Sequence, residues 1–538
     1  MDNLQPPKPS SSTEKIACSA GAVSCAVMCS RILGLVREQL FAGLFGAGFA
    51  YDAFVVAFRI PNLLRDLFGE GALSAAFVTV FSEYVTQKGD KATWELASTV
   101  LLFFAVLLSI LVLVGTYWAE PLVNLLASDF QTMAGKTALT VQLTRIMFPF
   151  LVFIALSAVV MGMLNTKGRF FIPAMASSFF NLGSIVGGVG LSLLLPKFGQ
   201  PAIVGMAFGT LIGGILQLGI QLPTLFKVGF RCIPGFRLNH PGLKKILWLM
   251  VPATIGLSAT QINIFINTNF ATSCEQGSVS WLNYAFRFVQ LPIGLFGVAF
   301  SIAAMPVLAK QAAAKQLDKL KATFISSLVL VFSLTIPATV GLLILAEPII
   351  RLIFEHGVFT QMDTIKTAQA LQLYGLGLFA YSSVKIMVPV FYAINTTRYP
   401  VVGSFIGVAA NLIIITLVIE QLQFRGIALA TSCAMTCNFL FLGLCLSRKL
   451  DGLPFQYLVR GMVKISIASA IMGAGTWYGR ALLSDWLQGP LFLQAAGVFS
   501  LIGGAAIFYA LFLQFLGLPE FTLLTQKIMQ RVGYRAKS

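Results

Sequence analysis

Four arginines, Arg31, Arg37, Arg59 and Arg65, stand with Glu38, Asp52, Asp66 and Glu70 inside or beside two long apolar stretches. Charge at the centre of a bilayer costs about 2.5–3.5 kcal/mol per residue on insertion scales. Arginines in such stretches are tolerated where they line water or meet anions. Guanidinium suits a diphosphate, because it stays charged in a low-dielectric site and offers forked donors. The chemistry implied is capture of an anionic cargo by Arg31, Arg37, Arg59 and Arg65. The acids Glu38, Asp52, Asp66 and Glu70, with Asn62 among them, would hold those arginines while cargo is absent. A salt-bridge network tying the first two spans together is the structural alternative.

Spacing decides how these groups can meet. Arg31 and Arg37 are six residues apart, about 9 Å along a helix and splayed around it if the helix is straight. Gly34 between them permits a bend that turns both inward. Arg59 and Arg65 repeat the spacing, with Pro61 between. Two further cations fall in apolar stretches. Arg287 is a candidate ligand, and Lys385 either supports the cavity or snorkels to the cytoplasmic surface. Arg145 is expected to anchor at an interface.

The elements that must position these groups are membrane helices. Of 538 residues 57% are apolar and only 11% charged, against about 25% charged in soluble domains. Mean hydropathy is +0.85. Apolar runs of about 20 residues read as helices, and they are too long for barrel strands. The sequence predicts an all-α polytopic membrane protein with fourteen spans. They lie near 16–44, 50–85, 97–118, 140–163, 171–195, 201–226, 243–271, 278–309, 322–345, 367–393, 399–419, 426–447, 461–482 and 490–516. Glu120–Asp129 and Glu347–Phe359 are too short to cross and are expected as short helices at the outer interface.

Residues 1–14 and 521–538 read as cytoplasmic tails, without a cleavable signal peptide. Lysine and arginine concentrate in alternate loops, such as Lys88/Lys91 and Lys310/Lys315/Lys319/Lys321. The other side holds only Lys136, Lys197, Arg351, Arg425 and Arg480. That bias places both termini inside. The net charge of +17 is explained by this topology and gives no reason to invoke nucleic acid. The eight cysteines sit mostly in apolar stretches, and only His240 and His356 are available beside them. Apolar packing therefore explains them better than a metal site.

An internal repeat organises the spans. Ala285-Phe286-Arg287 stands 228 residues after Ala57-Phe58-Arg59, and Ala346-Glu-Pro stands 227 after Ala119-Glu-Pro. Asn395-Thr396 and Asn411 follow Asn165-Thr166 and Asn181 by 230. A repeat of six helices inserts both halves with the same orientation, and cargo then binds between lobes that rock. The layout expected is a first lobe at 15–230 (helices 1–6), a second at 231–450 (helices 7–12), and two additional helices at 451–520. Arg287 is the mate of Arg59 across the lobes, while Arg31, Arg37 and Arg65 have no basic mates.

No Walker loop, HExxH or GxSxG is evident, so the chain is expected to be a transporter and not an enzyme, with no cofactor. A cationic cavity suits diphosphate lipids; an acidic one would suit cationic drugs. A membrane scaffold would need no intramembrane arginines.

The run Ser30-Arg-Ile-Leu-Gly-Leu-Val-Arg-Glu38, with Phe45-Gly-Ala-Gly48, Asp52-Ala-Phe54, Phe58-Arg-Ile-Pro-Asn-Leu-Leu-Arg65 and Glu70-Gly-Ala72, resembles the MurJ/MviN family. These are lipid II flippases of the MOP exporter superfamily. Arg145-Ile-Met-Phe-Pro-Phe150 and Leu164-Asn-Thr166 with Pro173 are similar to it too, and the similarity spans essentially the whole chain. The resemblance implies transfer of undecaprenyl-diphosphate disaccharide-pentapeptide from the inner to the outer leaflet of the bacterial cytoplasmic membrane, by alternating access. It implies a monomer whose partners are lipid II, membrane lipids, and proteins of cell-wall synthesis or division. The alternative is export of another polyprenyl-linked oligosaccharide, or of small molecules, on the same fold. Family positions of functional weight fall on Arg31, Arg37, Asp52, Arg65 and Arg287, and Arg59 stands where relatives carry Lys or Arg. The last two helices would form an apolar groove for the lipid tail, at 461–516 here. Two departures stand out. Many members have an acid just before the span-8 arginine, and here it is Phe286. A sodium site in some relatives uses carboxylates on spans 7 and 11, and spans 7–12 here hold no Asp or Glu at mid-depth. Membrane potential is the remaining drive, at about 2.3 kcal/mol per charge per 100 mV.

Overall fold

The computed structural model describes residues 11–66, 71–233 and 239–522, and its described residues form helices and their connections without strands. Inside a bilayer the helix closes its own backbone hydrogen bonds, which is why long apolar runs take this form. The chain divides into two compact units, Met1–Gln261 and Ile262–Ser538. The sequence reading starts its second lobe at 231; here the division falls inside a helix.

The first unit comprises α1 (Ser11–Phe45), α2 (Phe49–Arg65), α3 (Ala72–Gln87), α4 (Gly89–Tyr117), α5 (Ala119–Leu126), α6 (Lys136–Met147), α7 (Phe150–Thr166), α8 (Phe171–Leu194), α9 (Ile203–Gly219) and α10 (Leu222–Lys227). It also takes in the first part of α11 (Pro241–Thr272). Helices α8 and α9 approach closely because glycine removes the side chain at their crossing. A Cβ on Gly209 would lie 2.5 Å from Gly188 Cα, and one on Gly205 2.3 Å from Ser192 N. Small residues at such crossings let backbones touch where lipid offers no hydrophobic drive.

The second unit continues with α12 (Ser278–Pro292), which passes through a π-helical stretch, Ile293–Val298, into α13 (Ala299–Ala313). There follow α14 (Leu317–Phe354), α15 (Gln361–Gly375), α16 (Leu378–Ala393), α17 (Arg398–Leu422), α18 (Phe424–Lys449), α19 (Phe455–Leu482), α20 (Ser484–Gln488) and α21 (Leu491–Phe515). The last helices share one buried cluster with α14 and α16, including Phe324, Phe332, Phe391, Ile465 and Leu513. Tyr509 donates its hydroxyl to the Ser333 carbonyl at 2.7 Å.

Among the described residues eleven helices are long and apolar enough to cross a membrane, or twelve if the bent pair α15–α16 counts as one span. Two features differ from the expected spans, while of the stretch 50–85 the parts α2 and α3 are described and residues 67–70 between them lie outside the described set. The stretch 367–393 bends by 43° between α15 and α16. There Gly377 lets Ser432 come close, and the Ser432 hydroxyl donates to the carbonyls of Leu373 and Tyr374 at 2.7 and 3.1 Å. The bend thereby keeps partners for backbone groups that lose helical ones. Finally, Glu347–Phe359 is not a separate interfacial helix: its first part is the end of α14, which runs unbroken through Pro337 and Pro348. Glu347, Arg351 and Glu355 stand four residues apart and pair along one helix face, which favours continuation. The corresponding Glu120–Asp129 does begin a short helix of its own, α5, after a break at Trp118.

Candidate functional site

The candidate cations of the first unit occupy different environments. On α1, Arg31 is exposed, and among the described residues it pairs with no carboxylate. Arg37 is mostly buried. Its Nη2 donates to Glu38 Oε1 at 2.7 Å, and its guanidinium lies 5.7 and 5.4 Å from the ring centres of Phe41 and Phe180. Glu38 Oε2 accepts the Tyr51 hydroxyl at 3.0 Å, so α2 steadies the pair. Arg37 Nε is buried and finds no acceptor among the described residues, a state that costs about 1–3 kcal/mol until a partner arrives. Gly34 serves close approach: α1 runs through it as one helix, and Asn181 of α8 comes within 3.5 Å of where its Cβ would be. Asn181 Nδ2 donates to the Ser30 carbonyl at 3.0 Å, just before Arg31.

On α2, Arg59 and Asn62 are half-buried. Arg65 closes a fork on Asp66 Oδ1, with Nε at 3.2 Å and Nη2 at 2.9 Å. Asp66 Oδ2 accepts Gln261 Nε2 at 3.3 Å, a link from α11 that the sequence reading does not contain. Glu70 lies outside the described residues.

Asp52 pairs with a cation that the sequence reading leaves out of the site. It is 1% exposed and pairs with Lys136, whose Nζ lies 3.1 Å from Oδ2 and 4.2 Å from the centre of the Phe130 ring. Lys136, counted in the sequence as a loop cation, is itself 1% exposed at the start of α6. Nothing in its local sequence marks it, because burial comes from a partner 84 residues away. Buried pairs of this kind tolerate removal of one member poorly, since the other charge is then stranded.

In the second unit, Arg287 is half-buried on α12, and Phe286 before it packs edge-on against Tyr374 and Tyr381. Lys385 on α16 is exposed. Arg145 of the first unit is exposed too and donates Nε to the Thr116 carbonyl at 3.3 Å, near the end of α4.

Where α11, α17 and α18 of the second unit meet, the linked groups are polar and neutral. Asn411 Nδ2 donates to Asn267 Oδ1 at 2.7 Å, Asn267 Nδ2 donates to Thr431 Oγ1 at 3.1 Å, and Thr431 donates to the Ile427 carbonyl at 2.8 Å. This chain joins α11, α17 and α18. It holds no carboxylate: α11 has no acid and the one acid of α17 is exposed Glu420, while Asn411 Oδ1 is buried without a hydrogen-bond partner among the described residues. Among the described residues no group of three or more His, Cys, Asp or Glu could hold a metal.

Long apolar helices in two units define an all-helical, multi-pass membrane fold. That fold recurs in the MOP superfamily: an inward-facing multidrug resistance MATE transporter superposes with a TM-score of 0.62 at 17% identity, covering 80% of this chain and 99% of that one. The family model for the lipid II flippase MurJ matches residues 41–497. A probable lipid II flippase MurJ of Buchnera aphidicola from Acyrthosiphon pisum is 35% identical, over 86% of this chain and 90% of the relative. The lipid II flippase MurJ of Burkholderia cenocepacia is also 35% identical, over 86% and 90%. A solved lipid II flippase MurJ in an inward closed conformation has a TM-score of 0.76 at 31% identity, covering 92% of this chain and 99% of that one. The chain therefore belongs to the MurJ lipid II flippase family, and is a multi-pass protein of the bacterial inner membrane.

Proposed function

We propose that this protein flips lipid II from the inner to the outer leaflet by alternating access, as a transporter and not an enzyme. Arg31, Arg37, Arg59, Arg65 and Arg287 would bind the diphosphate, and Glu38, Asp52, Asn62, Glu70 and Lys385 would support them. The observation that carries this reading is Arg37. Its guanidinium is held in place by Glu38 and two aromatic rings, yet retains a buried donor without an acceptor among the described residues. A preorganised cation with capacity left over is what a phosphate oxygen would complete. The polyprenyl tail can stay in hydrocarbon throughout, so only the head group needs a polar path. Residues 461–516 are the proposed tail groove. Fourteen spans in two six-helix lobes plus two, both termini cytoplasmic, belong to the same reading, as do a monomeric state, cell-wall partners and drive by the membrane potential.

The test is rescue of flippase-depleted cells. Arg31→Ala, Arg65→Ala and Arg287→Ala should each abolish rescue at normal protein levels; full rescue by all three would overturn the arginine assignment. Outer-leaflet accessibility of lipid II after rapid depletion separates this cargo from another polyprenyl-linked oligosaccharide, for which accessibility would not change.

A further inference from the structure

A cavity of about 290 Å³ opens between the end of α14 and the helices α19 and α20, walled by Glu347, Arg351, Trp477, Arg480, Ser484 and Gln488 among others. It lies wholly in the second unit and shares no residue with the proposed diphosphate site, although Trp477, Arg480, Ser484 and Gln488 fall within the proposed tail groove at 461–516. Glu347 is placed between the two arginines: Oε2 meets Arg480 Nη2 at 2.7 Å, and Oε1 meets Arg351 Nη2 at 3.1 Å. Arg480 Nη1 donates to the Ile344 carbonyl at 2.8 Å, and Glu355 takes Arg351 Nε at 3.2 Å from outside the wall. One carboxylate of the wall thus fixes two guanidinium planes that would otherwise repel, and Glu355 brings the charges of the cluster into balance. Among the described residues Arg480 Nε and Arg351 Nη1 remain uncommitted.

The surroundings name the depth. The cavity sits at the ends of two long apolar helices, next to Trp477, Tyr478 and Leu482, which are 66%, 62% and 68% exposed. Exposed Trp and Tyr at the end of an apolar span mark the membrane–water interface, where lipid phosphates lie. Forked guanidinium donors match phosphate oxygens in pairs. The volume is near the lower end of small-ligand sites, about 300–1,000 Å³, which is room for a head group and too little for an acyl chain.

We infer that this cavity binds the phosphate of a membrane phosphoglyceride, clamping a head group where α14 meets the C-terminal helices. Free inorganic phosphate shares the chemistry and is the other possible source. The experiment is native mass spectrometry of the full chain in detergent. The probes, at equal concentration, are phosphatidylglycerol, diacylglycerol with the same acyl chains, and inorganic phosphate. Phosphatidylglycerol should give a one-to-one adduct that diacylglycerol does not, and Arg480→Gln should lower its bound fraction about tenfold. Gln488→Glu leaves every ion pair intact and adds a negative charge to the wall; it should lower binding several-fold in a protein that melts like the parent. Equal retention of diacylglycerol, or parent-like binding in both variants, would overturn the assignment. Retention of inorganic phosphate alone, lost in the same variants, would overturn the lipid source.

Discussion

Asn181 and Asn411 occupy corresponding positions, and each reaches from a glycine-bearing helix to a long helix of its own unit. Asn181 of α8 donates to the backbone of α1 at Ser30, and Asn411 of α17 donates to the side chain of Asn267 on α11. The two units thus share a way of joining helices but differ in what surrounds the joint. In the first, the neighbouring residues are Arg31 and, further along α1, the Arg37–Glu38 pair, with Asp52–Lys136 buried nearby in sequence on α2 and α6. In the second, the joint continues into a hydroxyl, and the ion pairs lie at helix ends: Glu347 with Arg351 and Arg480, and Glu275 with Lys366. Charge inside a membrane unit must be matched at once or desolvated at a cost. Amide chains carry no such demand. The lesson is that one helical plan can set ion pairs beside such a joint in one half and a chain of neutral amides in the other.

The strongest way to break this comparison is at Asp52–Lys136. Lys136→Met strands a buried carboxylate and should cost about 3–5 kcal/mol, read as thermal unfolding of the purified protein. The double variant Asp52→Leu, Lys136→Met should regain most of that loss. A single variant as stable as the parent would show that the pair is not held apart from water.

A smaller effect is expected where the helices touch. Gly209→Ala places a Cβ 2.5 Å from Gly188 Cα and should cost about 1–3 kcal/mol. Gly407→Ala, on α17 of the second unit, has its nearest neighbour at 3.5 Å and should change stability by less than about 0.5 kcal/mol. Equal melting shifts would mean that the glycine-on-glycine contact of the first unit has no special weight.

Asn267→Ala removes the middle of the amide chain and should cost about 0.6–1.7 kcal/mol, the range for hydrogen bonds between membrane helices. Sodium at millimolar levels should leave the parent melting temperature unchanged. Asn267→Asp is the variant in which a sodium-dependent rise could appear, and such a rise in the parent would contradict a neutral joint in the second unit.

The least disturbance to folding is expected at the exposed cations. Arg31→Ala and Lys385→Ala should each shift stability by no more than about 0.5 kcal/mol. Under the proposed function they part in degree, with rescue lost for Arg31→Ala, a direct ligand, and only weakened for Lys385→Ala, a supporting residue.

What the sequence determined by itself is whatever depends on neighbours along the chain. Hydropathy summed over about 20 residues located the long helices, from Gly89–Tyr117 to Leu491–Phe515. Motifs around Arg31–Glu38 and Phe58–Arg65 pointed to the family that the whole-chain matches show. The Arg37–Glu38 and Arg65–Asp66 pairs were legible because the partners are adjacent. Only the tertiary structure decided that Asp52 meets Lys136, that Gln261 reaches Asp66, and that Asn267, Asn411 and Thr431 form one chain. It also decided that α14 passes through Pro348 while 367–393 bends at Gly377, where Ser432 is at hand for the loosened carbonyls. The reason is physical. A helix is specified by local periodicity and closes its own backbone bonds. The partner of a buried polar group is chosen by which helix faces it, and packing across scores of residues sets that.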